Sequence, residues 1–125
     1  MQRAGTVLIA AWIVAATLAV AAQDRATGDG VYTSAQAMRG ATVFQTSCAM
    51  CHAADGIAPS LTGERFASIW TDANVNTLFT QVKTAMPRNA PGSLPEAAYV
   101  DVVAYLLSLN SFPAGSDELS SPAMA

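Results

Sequence analysis

Apolar residues recur along this chain at helical spacing, and nowhere do they alternate with polar ones as a half-buried strand would. Ala37, Ala41, Phe44 and Cys48 stand four, three and four residues apart. That spacing makes one stripe on a first helix over 34–48, which Thr33 or Ser34 would cap. Phe66, Ile69 and Trp70 place a short helix over 64–70 with all three on one side. Val75, Leu78, Phe79, Val82 and Met86 repeat helically after Asn74, a capping residue, and Pro87 ends that helix. Ser93-Leu94-Pro95-Glu96 fits a capping box, with Ser93 as cap and Glu96 three residues on. Tyr99, Val102, Val103, Leu106 and Leu109 then carry an apolar face as far as Asn110. About four helices and no strand predict an all-α domain.

The punctuation between these stripes sets the boundaries. From His52 to Trp70 periodicity gives way to Asp55-Gly56, Pro59 and Gly63, all turn residues, so the stretch reads as a loop wrapped around something. Residues 23–32 hold Asp24, Gly28, Asp29 and Gly30 and read as a flexible leader into a domain over 33–115. Residues 116–125, small and polar, read as a disordered tail. Gly40 costs a helix about 1 kcal/mol against alanine and needs a reason. Two stay open: close approach of another helix, or tolerance on a solvent face.

Residues 1–22 form a separate unit. Arg3 gives a positive start, an uncharged and largely apolar run follows, and small residues crowd its end, which is the pattern of an export signal. Cleavage after Ala21 or Ala22 fits equally. An uncleaved membrane anchor is the alternative, because the apolar run is just long enough to span hydrocarbon. Removal would take Arg3 alone among charged residues and move the formal net charge from −3 to −4. An acidic chain without a basic run excludes nucleic acid as a partner class. At 125 residues there is room for one domain with a thin core, which a planar apolar cofactor would thicken.

The candidate chemistry lies in Cys48-Ala49-Met50-Cys51-His52. Two thiols and an imidazole within one short segment read as a c-type haem attachment site, with the sulfurs joined to the haem edge and His52 as the proximal iron ligand. Zinc lacks donors, since a structural site takes about four and the chain holds 2 cysteines and 1 histidine. A thioredoxin-like pair would sit beside a βαβ pattern that is missing. A disulfide between residues so close in sequence would close too short a loop to stabilise much.

With a single histidine, the iron's other axial partner is a different residue type or water. Methionine suits such a haem. Met1 lies in the signal, Met124 in the tail, Met50 between the cysteines and Met38 inside the first helix, which leaves Met86, 34 residues beyond His52 and fixed by the Pro87 turn. The competing reading makes Met86 ordinary core at the end of a stripe. Pro59 is placed to offer its carbonyl to the other imidazole nitrogen, and it also serves as a loop stiffener. Leu61, Phe66, Trp70, Leu78, Phe79, Val82 and Leu106 are candidate pocket walls, each otherwise simple core. Trp70 carries an indole N–H that suits a haem propionate.

With these residues in place, the chain resembles the class I c-type cytochromes over nearly all of residues 33–113. Gly40 and Phe44 stand eight and four residues before Cys48, as the family's glycine and aromatic do. Tyr105 resembles the aromatic of the last helix that packs on that pair, which favours close packing at Gly40. Pro59 and Leu61 resemble the proline and leucine after the haem motif, and Met86-Pro87 the axial methionine segment. The 52–59 loop is shorter than in mitochondrial members. The resemblance implies a cytochrome c fold around one covalent haem c, with His52 and Met86 on the iron, working as a periplasmic one-electron carrier rather than an enzyme. More narrowly, residues 86–94 and 104–115 resemble bacterial cytochromes found with periplasmic quinoprotein dehydrogenases. That implies a dehydrogenase as electron donor and a terminal oxidase or another cytochrome as acceptor. Alternatives are a haem subunit of a dehydrogenase complex, and a peroxidase or ligand sensor with a labile sixth site.

Overall fold

Thr33 starts the first helix: its hydroxyl accepts from the Gln36 amide at 3.2 Å, while Ser34 is already helical. The computed structural model describes residues 25–121. Within them run α1 (Ser34–Ser47), α2 (Ala49–His52), α3 (Glu64–Trp70), α4 (Val75–Ala85) and α5 (Glu96–Leu109). The all-α expectation holds, with five helices rather than about four, and the only β pairing among the described residues is an isolated bridge between Ala26 and Asn74. The signal or anchor reading concerns residues 1–22, which lie outside the described residues. No described helix is long and apolar enough to cross a membrane.

The frame is the crossing of α1 on α5. Gln36, Ala37, Gly40 and Phe44 face inward from α1. A Cβ built on Gly40 would lie 1.8 Å from the Asp101 carbonyl oxygen, so the two backbones meet there and close approach is the reason for glycine. One turn on, the Phe44 ring packs tilted against Tyr105 with centroids 5.2 Å apart. From α5 come Tyr99, Val100, Val102, Val103, Ala104, Leu106 and Leu107, all buried. Each large member contributes roughly 1.5–3 kcal/mol. Leu109, expected on this face, is the last helical residue and is 39 % exposed. Helix α4 begins on the predicted cap, the Asn76 amide donating to Asn74 Oδ1 at 2.8 Å, and buries Val75, Leu78 and Phe79. In α3 only Phe66 is buried and Trp70 half-buried; Ile69, expected beside them, is 57 % exposed. Two helical turns present a narrow stripe, and residues four apart share it better than residue 69 does.

Three expectations are corrected. The flexible leader is packed from residue 25 onward. Val31 and Tyr32 are core residues, the Thr27 hydroxyl donates to the Trp70 carbonyl at 2.6 Å, and the Tyr32 hydroxyl donates to the Phe112 carbonyl at 2.6 Å. Second, residues 116–121 of the expected tail are held against the domain, while 122–125 lie outside the described residues. Gln36 exchanges two hydrogen bonds of 2.8 Å with the Leu119 backbone, an amide side chain replacing a strand partner. Third, the capping box does not form. The cap position of α5 is Pro95, in extended conformation, and the Glu96 carboxylate accepts from Lys83 Nζ and the Ser121 hydroxyl instead of turning back to Ser93.

Two carboxylates are held below the ordinary glutamate value of 4.5, Glu96 by Lys83 and then Ser121, and Glu118 by the Arg39 guanidinium. Arg39 also pairs with Asp101 at 3.1 Å, so it ties the tail to both α1 and α5. A depressed folded-state pKa means stability present above 4.5 and lost as pH falls through the lower folded values. The melting temperature is therefore expected to hold steady above that value and fall below it. Glu118→Gln should lower the plateau only slightly, because an exposed pair is screened by solvent, and flatten the acid limb. Melting curves across a pH series check this, and an unchanged acid limb in Glu118→Gln would refute it.

Candidate functional site

The Cys-x-x-Cys-His segment is itself one turn of helix. Cys48 ends α1, its amide donating to the Phe44 carbonyl at 2.9 Å, and also starts α2, its carbonyl accepting from the Cys51 and His52 amides at 3.1 and 3.0 Å. The chain changes direction there while both thiols and the imidazole stay on a single rigid turn. Both cysteines are half-buried and not joined to each other. Burial, then the nearby Cys51, pushes the Cys48 thiol up from its ordinary value, so it stays protonated at neutral pH.

The following loop folds back on this turn. The Ala58 amide donates to the Cys51 carbonyl at 2.9 Å and the Gly56 amide to the Ala53 carbonyl at 2.8 Å. A Cβ on Gly56 would lie 2.1 Å from the Cys51 carbonyl oxygen, so only glycine allows the fold-back. Its result is that the Pro59 carbonyl stands 2.9 Å from His52 Nδ1. A carbonyl can only accept, so the bond makes Nδ1 the protonated nitrogen and leaves Nε2 with a free lone pair. An imidazole held in that tautomer is a ready metal ligand.

The other site candidates border the same core. Leu61 is half-buried against it, and its carbonyl accepts from Asn110 Nδ2 at 2.8 Å, tying the loop to the end of α5. Trp70 is half-buried, its ring centroid 6.3 Å from that of Phe66. Met86 caps α4, its amide donating to the Val82 carbonyl at 3.0 Å. Its own carbonyl accepts from the Tyr99 hydroxyl at 2.7 Å. Thus Pro59 meets His52 directly, Leu61 and Trp70 flank the core, and Met86 stands at the α4–α5 joint. Gly56, Asn110 and Tyr99 escape the sequence reading as site-shaping residues. For Tyr99 the signal was there: a phenol on an aliphatic face needs a partner.

Two thiols and a lone-pair nitrogen on one helical turn, backed by an apolar core, suit a haem better than a bare metal ion. An all-α domain carrying such a turn defines a c-type cytochrome. Residues 35–106, more than half of the chain, match the family model described as cytochrome c oxidase, cbb3-type, subunit III, and the chain belongs to this family of class I c-type cytochrome domains. No curated protein and no solved structure matches it. Membership makes it a haem-based electron carrier, and the domain implies binding of haem c.

Proposed function

We propose that this chain is an exported, periplasmic one-electron carrier holding one haem c by thioether links to Cys48 and Cys51, with His52 and Met86 as axial ligands. The observation that carries the reading is the His52 Nδ1–Pro59 carbonyl contact of 2.9 Å, which supports Nε2 as the ligand atom. When bound, the haem supplies the one-electron couple of its iron. The protein's own residues do the rest. Pro59 fixes the imidazole tautomer and raises its basicity. Leu61, Trp70 and the buried Leu78 and Phe79 exclude water, and so limit rearrangement when the charge changes. The apolar surround and a thioether ligand both raise the reduction potential.

The donor is a dehydrogenase and the acceptor a terminal oxidase or another cytochrome, as the sequence resemblance suggests. Between residues 48 and 63 the sole formal charge is Asp55, while Met50 and Ile57 are 91 % and 95 % exposed. This favours a small, weakly charged and transient docking patch beside the attachment turn. The matched family's description as an oxidase subunit favours a second reading, a haem subunit within a larger complex. Recovery of the chain with a partner enzyme under mild extraction separates the two.

Met86→Ala tests the ligand set. Ferrous wild type should bind carbon monoxide poorly. The variant should bind it more than about tenfold better, equivalent to about 1.4 kcal/mol, with a lowered reduction potential. Ready binding by wild type, or an unchanged spectrum in the variant, would refute methionine ligation.

A further inference from the structure

Tyr99 is 0 % exposed on the first turn of α5. A phenol taken from water keeps its hydroxyl satisfied only where the fold supplies partners. Here it donates to the Met86 carbonyl at 2.7 Å and accepts from the Leu94 amide at 3.4 Å. Those backbone groups are the two ends of the 86–94 loop. The loop's internal bonds join it only to itself: two turn contacts, Ala90 amide to Pro87 carbonyl at 2.9 Å and Ser93 amide to Ala90 carbonyl at 3.2 Å, and a longer bond across it, Gly92 amide to Met86 carbonyl at 3.4 Å. Tyr99 adds what these lack, an attachment of both loop ends to a buried helix. Beside it the Lys83–Glu96 ion pair joins the last turn of α4 to the first turn of α5, with the Ser121 hydroxyl donating to the same carboxylate.

We infer that Tyr99 is a positioning residue whose hydroxyl holds the Met86 backbone at a fixed depth against α5, so that the thioether is presented to the iron. The inference rests on the axial role of Met86 proposed above. The 86–94 loop has a fastened state and an open one, and Tyr99 biases the balance. Removing one buried hydrogen bond should raise the open fraction roughly five- to tenfold, and the apparent affinity of a competing ligand rises by the same factor.

The test titrates ferric, haem-loaded protein with imidazole, followed by the visible spectrum, in wild type, Met86→Ala, Tyr99→Phe and Tyr32→Phe. Tyr32→Phe is the control, since it deletes the hydroxyl of another buried tyrosine, bonded to the Phe112 carbonyl at 2.6 Å. Met86→Ala should bind imidazole far more tightly than wild type. Tyr99→Phe should bind it roughly five- to tenfold more tightly, and Tyr32→Phe should match wild type. Amide exchange at Leu94 should accelerate in Tyr99→Phe alone. If Met86→Ala binds no tighter than wild type, the axial reading has failed and the inference goes with it. If Met86→Ala binds tighter but Tyr99→Phe tracks Tyr32→Phe, methionine ligation stands and the positioning role of Tyr99 is overturned.

Discussion

Gly40→Ala should destabilise the domain severely, although helix propensity alone would favour alanine by about 1 kcal/mol. The two effects have opposite sign, and distance decides between them. The new methyl would sit 1.8 Å from the Asp101 carbonyl oxygen, 2.5 Å from its carbon and 2.9 Å from Tyr105 Cβ. Two of these are backbone atoms inside α5, so no rotamer change relieves the clash and the helices must separate. The cost should reach or pass the roughly 3 kcal/mol upper end of ordinary overpacking. For a domain of this size that is a drop of about 12–24 °C in melting temperature. Gly28→Ala is the contrast, because a Cβ there meets only Asp72 Oδ1 at 3.9 Å and stability should barely change. A melting temperature for Gly40→Ala equal to or above wild type would refute the crossing.

Changing Cys48 and Cys51 together to alanine should abolish haem that migrates with the chain. Coexpression with haem-attachment machinery, a denaturing gel and a haem stain make the measurement. Wild type should stain, each single variant should stain weakly, and the double variant not at all. Denaturation removes any cofactor held only by His52, so what remains reports the thioethers alone. Loss of the cofactor should also weaken the fold, because a domain near 100 residues buries too little apolar surface to spare so large a core element. Wild-type chain without stain would refute covalent attachment.

What the sequence disclosed follows from which forces leave a local trace. The α1 stripe, the caps at Thr33 and Asn74, and the α4 pattern depend on residues three or four apart, so they stand in the order of residues themselves. The meeting of Gly40 with α5 was one of two readings, and the family resemblance favoured it. Residues 25–32 and 116–121 left no such trace. Their order comes from single bonds across long separations, Tyr32 to Phe112 and Gln36 to Leu119, to which no periodicity points. The capping box failed for a related reason. Glu96 is drawn away by Lys83 and Ser121, and a distant cation outcompetes a nearby amide that the sequence shows plainly. At the site, the grouping of Cys48, Cys51 and His52 on one short segment was legible as a motif. The fold-back that brings Pro59 to His52 hinges on Gly56, which in sequence is merely one more turn residue.

The pairing of α1 with α5 also governs the order of events as the chain emerges from its N-terminus. Helix α1 finds its main partner only once residues 96–109 have appeared, and two further bonds, Gln36 to Leu119 and Arg39 to Glu118, wait for residues 118–119. Contacts this remote in sequence close late. Until then the turn bearing Cys48, Cys51 and His52 hangs from an undocked helix, with both thiols open to solvent. The topology thus builds in a delay: the turn that carries both thiols comes early, and the helix that braces α1 comes well after it.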